Sequence, residues 1–360
     1  MGCLKTALFA EHQRLGARMV DFAGWLMPLH YGSQIQEHQR VRQDAGMFDV
    51  SHMQAVDVAG AQAVDFLRYI LANDVTKLNH GKALYTCMLN ANGGVIDDLI
   101  VYHQPAGFRL VLNADCIDKD FAWLQQQAQA FQVELSRQDL TILAVQGHHA
   151  RAKTLPLLPK AIQAQAADLD YFFSTAVTEG WCVARTGYTG EDGFEVMLPN
   201  TQASAFFQAL LKAGVAPCGL GARDSLRLEA GMNLYGLDMD EQHSPLVSGL
   251  AWTVAFKPDN RNFMGRGALE QQKQQLEQKF VGVLLTERGV LRHGQNLLQG
   301  NEIVGEITSG GFSPTLNHSI GLARVLNEID ACEVDIRGKR YPIKIVKIPF
   351  VRNGQSCLSL

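Results

Sequence analysis

Two carboxylates lie side by side in an apolar run, Gly93-Gly94-Val95-Ile96-Asp97-Asp98-Leu99-Ile100-Val101-Tyr102. Strand interiors disfavour aspartate, and a local rule broken inside a strong pattern often marks a functional site. Successive strand side chains point to opposite faces. Asp97 therefore shares a face with Val95, Leu99 and Val101, and Asp98 with Ile96, Ile100 and Tyr102. The pair cannot hold one proton between them in a small site, so one of the two is expected to be structural. From pattern alone, the reading in which both acids only form salt bridges or cap turns stays open.

A second stretch runs Arg185-Thr186-Gly187-Tyr188-Thr189-Gly190-Glu191-Asp192-Gly193-Phe194-Glu195-Val196. Its glycines and threonines mark a tight loop able to approach a ligand closely. Glu195 then interrupts an alternating strand in which Phe194, Val196 and Leu198 take one face and Met197 the other. A carboxylate there can accept two parallel N–H donors from a flat heterocycle such as a pterin or guanine edge. An ion pair with Arg185 across the hairpin is the competing reading. Farther on, Arg223 and Arg227 are i,i+4 neighbours if Gly219–Met232 is helical. Like charges at that spacing repel unless an anion lies between them, which a ligand or a buried carboxylate such as Glu229 would supply. An ordinary ion-pair network explains them equally well.

Other signatures are missing. There is no G-x-S-x-G elbow, H-E-x-x-H pair or P-loop, and Gly219-Leu220-Gly221 lacks the third glycine of a dinucleotide fingerprint. Asp238-Met239-Asp240-Glu241 reads as a solvated acidic turn, because a calcium loop would need a glycine and a downstream glutamate. His148 and His149 read as a loop pair, and no metal site is expected.

These residues need elements to hold them. Ser33, with Gln36 three residues later, forms a capping-box pattern opening a polar helix, with Ile35, Val41 and Ala45 as its loose apolar face. Gly46 closes it and Met47 to Val50 starts a strand. The segment 60–72 reads as an amphipathic helix with Val64, Leu67, Ile70 and Leu71 inward. Residues 83–89 and 95–103 form a hairpin around Asn90-Ala91-Asn92-Gly93-Gly94, a turn rich in residues that tolerate positive φ. A strand over 108–113, a helix over about 117–131 and a strand over 140–146 follow. Residues 150–169 are helical with a proline break, 181–198 form a second hairpin, and 204–213 and 223–230 are helices. Beyond a polar helical run at 268–279, short β-runs at 280–286, 303–308, 319–325, 333–337 and 340–346 predict a small all-β terminal domain, a barrel.

A chain of 360 residues, 47% hydrophobic, exceeds one comfortable core, so two or three domains are expected. A net charge of −4 gives no basic footprint for nucleic acid. The seven cysteines are odd in number and widely spaced, with no C-x-x-C pair. They read as reduced, mostly buried thiols in a reducing, cytoplasmic compartment. No apolar run approaches 18 residues and Met1 to Val20 has no long apolar core, so neither a membrane span nor secretion is expected.

Taken in order, Met19-Val20-Asp21-Phe22, Gly46 to Met53, Gly93 to Asp98, Thr186 to Glu195, Gly219 to Glu229 and Thr308 to Leu316 run across nearly the whole chain. Together they resemble the T protein of the glycine cleavage system, a family of aminomethyltransferases that use tetrahydrofolate. The resemblance implies an α+β fold of three domains in a cloverleaf around a central folate channel. Residues 1–50 with about 140–245 would form the first α+β domain, about 51–139 with 246–276 the second, and 277–360 a C-terminal β-barrel. It also implies a partner, the lipoyl-bearing H protein, whose aminomethyl group ends as 5,10-methylenetetrahydrofolate and ammonia.

Residue by residue, the resemblance makes Asp98 the key catalytic aspartate. It places Glu195 against the pterin, with Tyr85, Asn113 and Tyr188 lining the cavity, and Arg223 in contact with the folate. Met53 and Trp252 stand as candidates for the channel wall, and Arg352 for the folate's glutamate tail. Gln146-Gly147-His148-His149 departs from the Gln-Gly-Pro expected there, outside the folate-contacting set. Two rivals share the scaffold: a folate-dependent demethylase, and a non-catalytic folate-binding protein of iron–sulfur cluster maintenance. The K-G-C-Y-x-G-Q-E signature of the latter is absent. Sarcosine and dimethylglycine dehydrogenases carry a large flavin domain, for which this chain has neither length nor fingerprint.

Overall fold

Three strands carry the acids singled out by pattern or lie beside them: Ala83–Leu89, Val95–Gln104 and Gly193–Pro199. They belong to a computed structural model that describes residues 2–358. Its chain divides into two units. One holds the chain up to Arg68, Asp74–Thr86 and Leu99–Asp224; the other holds Tyr69–Asn73, Cys87–Asp98 and the chain from Ser225 onward.

In the first unit a five-stranded sheet runs in the order Cys182–Ala184, Gly193–Pro199, Leu140–Gln146, Gly46–Asp49, Ala216–Pro217. All pairs are antiparallel except the last. Phe194, Val196 and Leu198, alternating as the sequence indicated, face a core shared with Leu143 and Val145. Helix Asn200–Lys212 closes that core with Ala203, Phe206, Phe207 and Leu210, the i, i+3, i+4, i+7 stripe of an amphipathic helix. Each fully buried Phe or Leu contributes about 1.5–3 kcal/mol. Glu195, on the opposite face, is flanked across the strands by Ala184 and Ala144, whose small side chains leave its carboxyl uncrowded.

The second sheet has the order Ala83–Leu89, Val95–Gln104, Gly107–Leu112, Gln54–Ala59, Glu134–Gln138. Within the first unit this sheet meets the face that carries Glu195. Arg109, bonded in two places to Asp57 at 2.6 and 2.9 Å, also reaches Met197 Sδ at 3.9 Å, and Tyr102 on the adjacent strand reaches Glu195.

The tip of the first hairpin belongs to the second unit. Asn90 Oδ1 accepts the amides of Asn92 and Gly94, Gly93 has φ +83°, and a Cβ on Gly94 would lie 1.8 Å from the Glu241 carbonyl. Only glycine tolerates that approach.

The terminal domain is the expected barrel. It closes in the order Gln278–Leu285, His318–Leu326, Glu302–Ser313, Asn296–Gln299, Ala331–Ile336, Lys339–Val346, with the last strand pairing back to the first. Val283, Leu285, Leu297, Ile307, Ala323, Val325 and Val334 fill it. Strand Asn296–Gln299 escaped the pattern because it is short. The run expected over 303–308 extends to Ser313, because Gly310 is not a turn. A Cβ there would meet the Leu291 backbone at 2.7 Å, so the glycine lets a neighbouring segment pack on the strand.

Other expectations are corrected. Ile35 and Val64 are 43% and 41% exposed. Val41 and Ala45 are buried as expected, but in place of Ile35 helix Gln34–Gln43 buries Glu37 and His38, and the Glu37 carboxylate accepts the amides of Tyr31 and Gly219. Helix Ala63–Ile70 turns Ala63, Phe66, Leu67 and Ile70 inward, which places Val64 outside the stripe. The hairpin Arg18–Phe22 with Trp25–His30, and strands Gln54–Ala59 and Glu134–Gln138, were not foreseen. The capping of Ser33 onto Gln36, the helix broken near Pro156 and the strand at Gly46–Asp49 are as expected. Among the described residues no disulfide joins any cysteine, and five of the seven thiols are buried. No helix among them is long and apolar enough to cross a membrane.

Candidate active site

The loop between Ala184 and Gly193 is held at several points in the first unit. Arg185 donates to both oxygens of Asp192 at 2.8 and 2.9 Å, a bidentate charge-assisted pair. This removes the reading in which Arg185 neutralises Glu195. Gln146, fully buried, donates to the Thr186 carbonyl at 3.0 Å and accepts from the Thr189 hydroxyl at 2.9 Å. Arg42 donates to the Thr189 carbonyl at 2.7 Å and to Glu191 at 2.6 Å. A Cβ on Gly187 would fall 1.9 Å from Gln146 Oε1, so the loop packs onto Gln146 only with glycine there.

This anchored loop presents Thr186 and Tyr188. The Thr186 hydroxyl donates to Glu195 Oε2 at 2.5 Å, and the Tyr102 hydroxyl reaches the same oxygen at 3.4 Å and Thr186 Oγ1 at 3.2 Å. Burial pushes the Glu195 carboxyl above its ordinary pKa, against the opposing pull of Thr186, Arg223 and Tyr102. Burial, and then Glu195 itself, push the Tyr102 hydroxyl far above its ordinary value, so it stays a protonated donor. Arg223, on helix Leu220–Glu229, sets its guanidinium 4.5 Å from the centroid of the Tyr188 ring. Among the described residues no carboxylate forms an ion pair with it. Buried His52 stays neutral: burial first, then the charge of Arg223, hold it at about 3 against the pull of Asp49.

Met53, Tyr85 and Asn113 lie in the same unit and are half-buried, as are Tyr188, Glu195 and Arg223. Tyr85 is the one residue of strand Ala83–Leu89 that keeps part of its surface open. Asn113 follows strand Gly107–Leu112 and does not cap the turn of helix after it.

Asp98, Trp252 and Arg352 belong to the second unit. Alternation separates the acidic pair: Asp97 is completely buried, while Asp98 and Ile100 are half-buried. The Cys87 thiol is pushed up, by burial first and then by the charge of Asp98, so it remains a thiol and not a nucleophilic thiolate. Trp252 is 67% exposed, and Arg352 is exposed on a short terminal strand.

The two arginines of the helix do not act as a pair on one anion. Arg227 bonds Asp238 at 3.0 Å, Ser309 at 3.1 Å and the Met232 carbonyl at 3.2 Å. Asp238 is 0% exposed and also accepts from Thr308 and Ser309; the solvated turn expected there is a buried ion-pair site. Glu229 accepts from Ser313 and Thr315, tying Thr308–Leu316 to the helix. Sequence reasoning passed over Tyr102, Gln146 and Arg42. For Tyr102 a signal existed, since alternation already set it on the face of Asp98. Gln146 and Arg42 act through contacts distant in sequence and left none.

Family models match both parts of the chain: the GCVT N-terminal domain over residues 8–258, and the glycine cleavage T-protein C-terminal barrel domain over residues 278–352. An aminomethyltransferase of Xanthomonas campestris pv. campestris (strain 8004) is 56% identical over 362 residues, 98% of this chain and 97% of the relative. One of Xanthomonas axonopodis pv. citri (strain 306) is 55% identical over 361 residues, with the same coverage. The crystal structure of the glycine cleavage system aminomethyltransferase T from Bartonella henselae matches with a TM-score of 0.91 at 34% identity, covering 97% of this chain and 98% of that one.

Proposed function

Because the chain belongs to the glycine cleavage T-protein family and is an aminomethyltransferase, we propose that it takes the aminomethyl group from the dihydrolipoyl arm of an H protein and delivers the carbon to tetrahydrofolate. The balance of that reaction defines what the protein must do. The carbon loses its bonds to sulfur and to the amine nitrogen, and gains bonds to N5 and N10 of the folate. The two protons leaving N5 and N10 end on the sulfur and the amine, giving a thiol and ammonia. No electrons are exchanged, so the task is positioning and proton management.

The observation that carries the reading is the Glu195 carboxylate, held by Thr186 and Tyr102 in the same unit as the Arg223–Tyr188 pair. A carboxylate suits the N–H edge of a pterin, an aromatic face suits its ring, and a guanidinium without a carboxylate partner suits an anionic tail. Tyr85, Asn113 and Met53, all half-buried, complete the folate-facing set of the first unit, and Trp252 and Arg352 are further candidates for ligand contact carried by the second. Asp98 offsets positive charge on the carbon as it becomes electrophilic and relays the protons. The division into three domains and a cytoplasmic location belong to the same proposal.

The test is direct: mix the protein with tetrahydrofolate and aminomethylated H protein, and measure 5,10-methylenetetrahydrofolate and ammonia. Production of both in equal amounts is expected. Tight folate binding without product would favour a non-catalytic folate-binding role, and turnover only with a methylated amine would favour a demethylase.

A further inference from the structure

The hydrogen bonds at Glu195 are lopsided. Oε2 receives the Thr186 hydroxyl at 2.5 Å and the Tyr102 hydroxyl at 3.4 Å, while among the described residues no hydrogen bond reaches Oε1. Nor is Oε1 among the sealed-off polar atoms that lack a partner, so it lies at an accessible surface. A carboxylate oxygen has two lone-pair sites, and on Oε2 the Thr186 hydroxyl takes one while the Tyr102 hydroxyl lies within reach of the other. We propose that Tyr102 is a positioning residue for ligand binding: together with Thr186 it holds Oε2 and leaves Oε1 as the oxygen that accepts an N–H from the folate ring. This rests on the reading of Glu195 as a folate-binding residue and sharpens it. The two parallel N–H bonds that the sequence suggested become one, through Oε1.

Tyr102 is equipped for that role. Its ring is 1% exposed, so its orientation is set by packing on the strand Val95–Gln104. Its hydroxyl proton has two acceptors in reach, Glu195 Oε2 and Thr186 Oγ1 at 3.2 Å. Donation to either strengthens the same contact, directly or by polarising the Thr186 hydroxyl that already donates to Glu195. Among the described residues Arg223 is the charged group that acts on Glu195; it attracts the carboxylate but makes no hydrogen bond to it. Without the two hydroxyls the carboxyl is left to swing toward that guanidinium. Tyr102 touches no reacting atom, so its effect should appear in binding.

The experiment compares wild type with Tyr102→Phe, Thr186→Val, Thr186→Ser and Glu195→Gln. It measures tetrahydrofolate Kd by calorimetry, KM and kcat in the complete assay, and Tm as a check on folding. Tyr102→Phe and Thr186→Val are expected to raise Kd and KM about tenfold, as for loss of a hydrogen bond to a charged group, with kcat within about threefold. Thr186→Ser, which keeps the hydroxyl, should bind as wild type. If Glu195→Gln weakens binding while Tyr102→Phe and Thr186→Val bind as wild type, the inference fails and the folate reading stands. A fall in kcat with unchanged KM also overturns it. If Glu195→Gln itself binds as wild type, the carboxyl is not a folate contact and both fall together. Should Tyr102→Phe not fold, the contrast of Thr186→Val with Thr186→Ser decides.

Discussion

The guanidinium of Arg223 stands 4.5 Å from the centroid of the Tyr188 ring. The contact fixes a loop residue against a helix residue 35 positions away by number, and it orients the charge without neutralising it. A cation on an aromatic face is worth about 0.5–2 kcal/mol, and its in-plane N–H donors remain available for a planar anion. We expect Arg223→Gln to weaken tetrahydrofolate about ten- to a hundredfold, through loss of a charge-assisted bond. Calorimetric titration checks this; unchanged affinity would remove Arg223 from the ligand's reach.

The acidic pair should separate cleanly. Asp98→Asn is expected to lower kcat about 10²–10⁴-fold, the usual value of a positioned acid or base, with folate affinity nearly kept. Asp97, with no exposed surface, should instead reveal itself in stability: Asp97→Asn should lower Tm and leave the kcat of the folded fraction nearly unchanged. The reverse pattern would mean that the functional face of the strand has been misjudged.

Arg227 and Asp238 form a buried ion pair at 3.0 Å, with side chains 3% and 0% exposed. Removing one member of such a pair strands the other, at a cost of about 3–5 kcal/mol. Arg227→Met should therefore shift the urea midpoint strongly, and a double change that also replaces Asp238 with Asn should recover part of the loss. A single variant as stable as wild type would show that solvent reaches the pair.

Acid sensitivity should trace in part to His52, whose Nδ1 meets no hydrogen-bond partner among the described residues. Its folded value, about 3, lies below the ordinary 6.5. The unfolded chain therefore binds a proton below about pH 6.5 that the folded chain refuses until about pH 3. Stability from this group is complete above pH 6.5 and falls as pH drops toward 3, with a limiting slope of about 1.4 kcal/mol per pH unit. Urea titrations at pH 7, 6, 5 and 4.5 should show His52→Gln losing less stability than wild type over that range. Parallel losses would assign the sensitivity to other groups.

Much of this was legible in one dimension, wherever the relevant physics is local. Period-two alternation told Asp97 from Asp98, because a pleated strand sends neighbours to opposite faces. The strand at Gly193–Pro199 was readable from Phe194, Val196 and Leu198, and the barrel from β-runs punctuated by glycine. The ordered motifs were enough to suggest the family. The sequence could not assign partners. Arg185 lay near Glu195 in number, yet it chose Asp192, and the carboxyl of Glu195 went to the Thr186 hydroxyl, joined by one from a strand 93 positions earlier. Asp238 looked like a surface acid until Arg227, Thr308 and Ser309 enclosed it. Hydrogen-bond geometry and burial depend on which segments meet in space, and strand alternation and helical periodicity carry no record of that. The residue types and the face each one takes were therefore set by the sequence; which oxygen of Glu195 meets the hydroxyls, and which is left accessible, was decided only when the two sheets of the first unit came together.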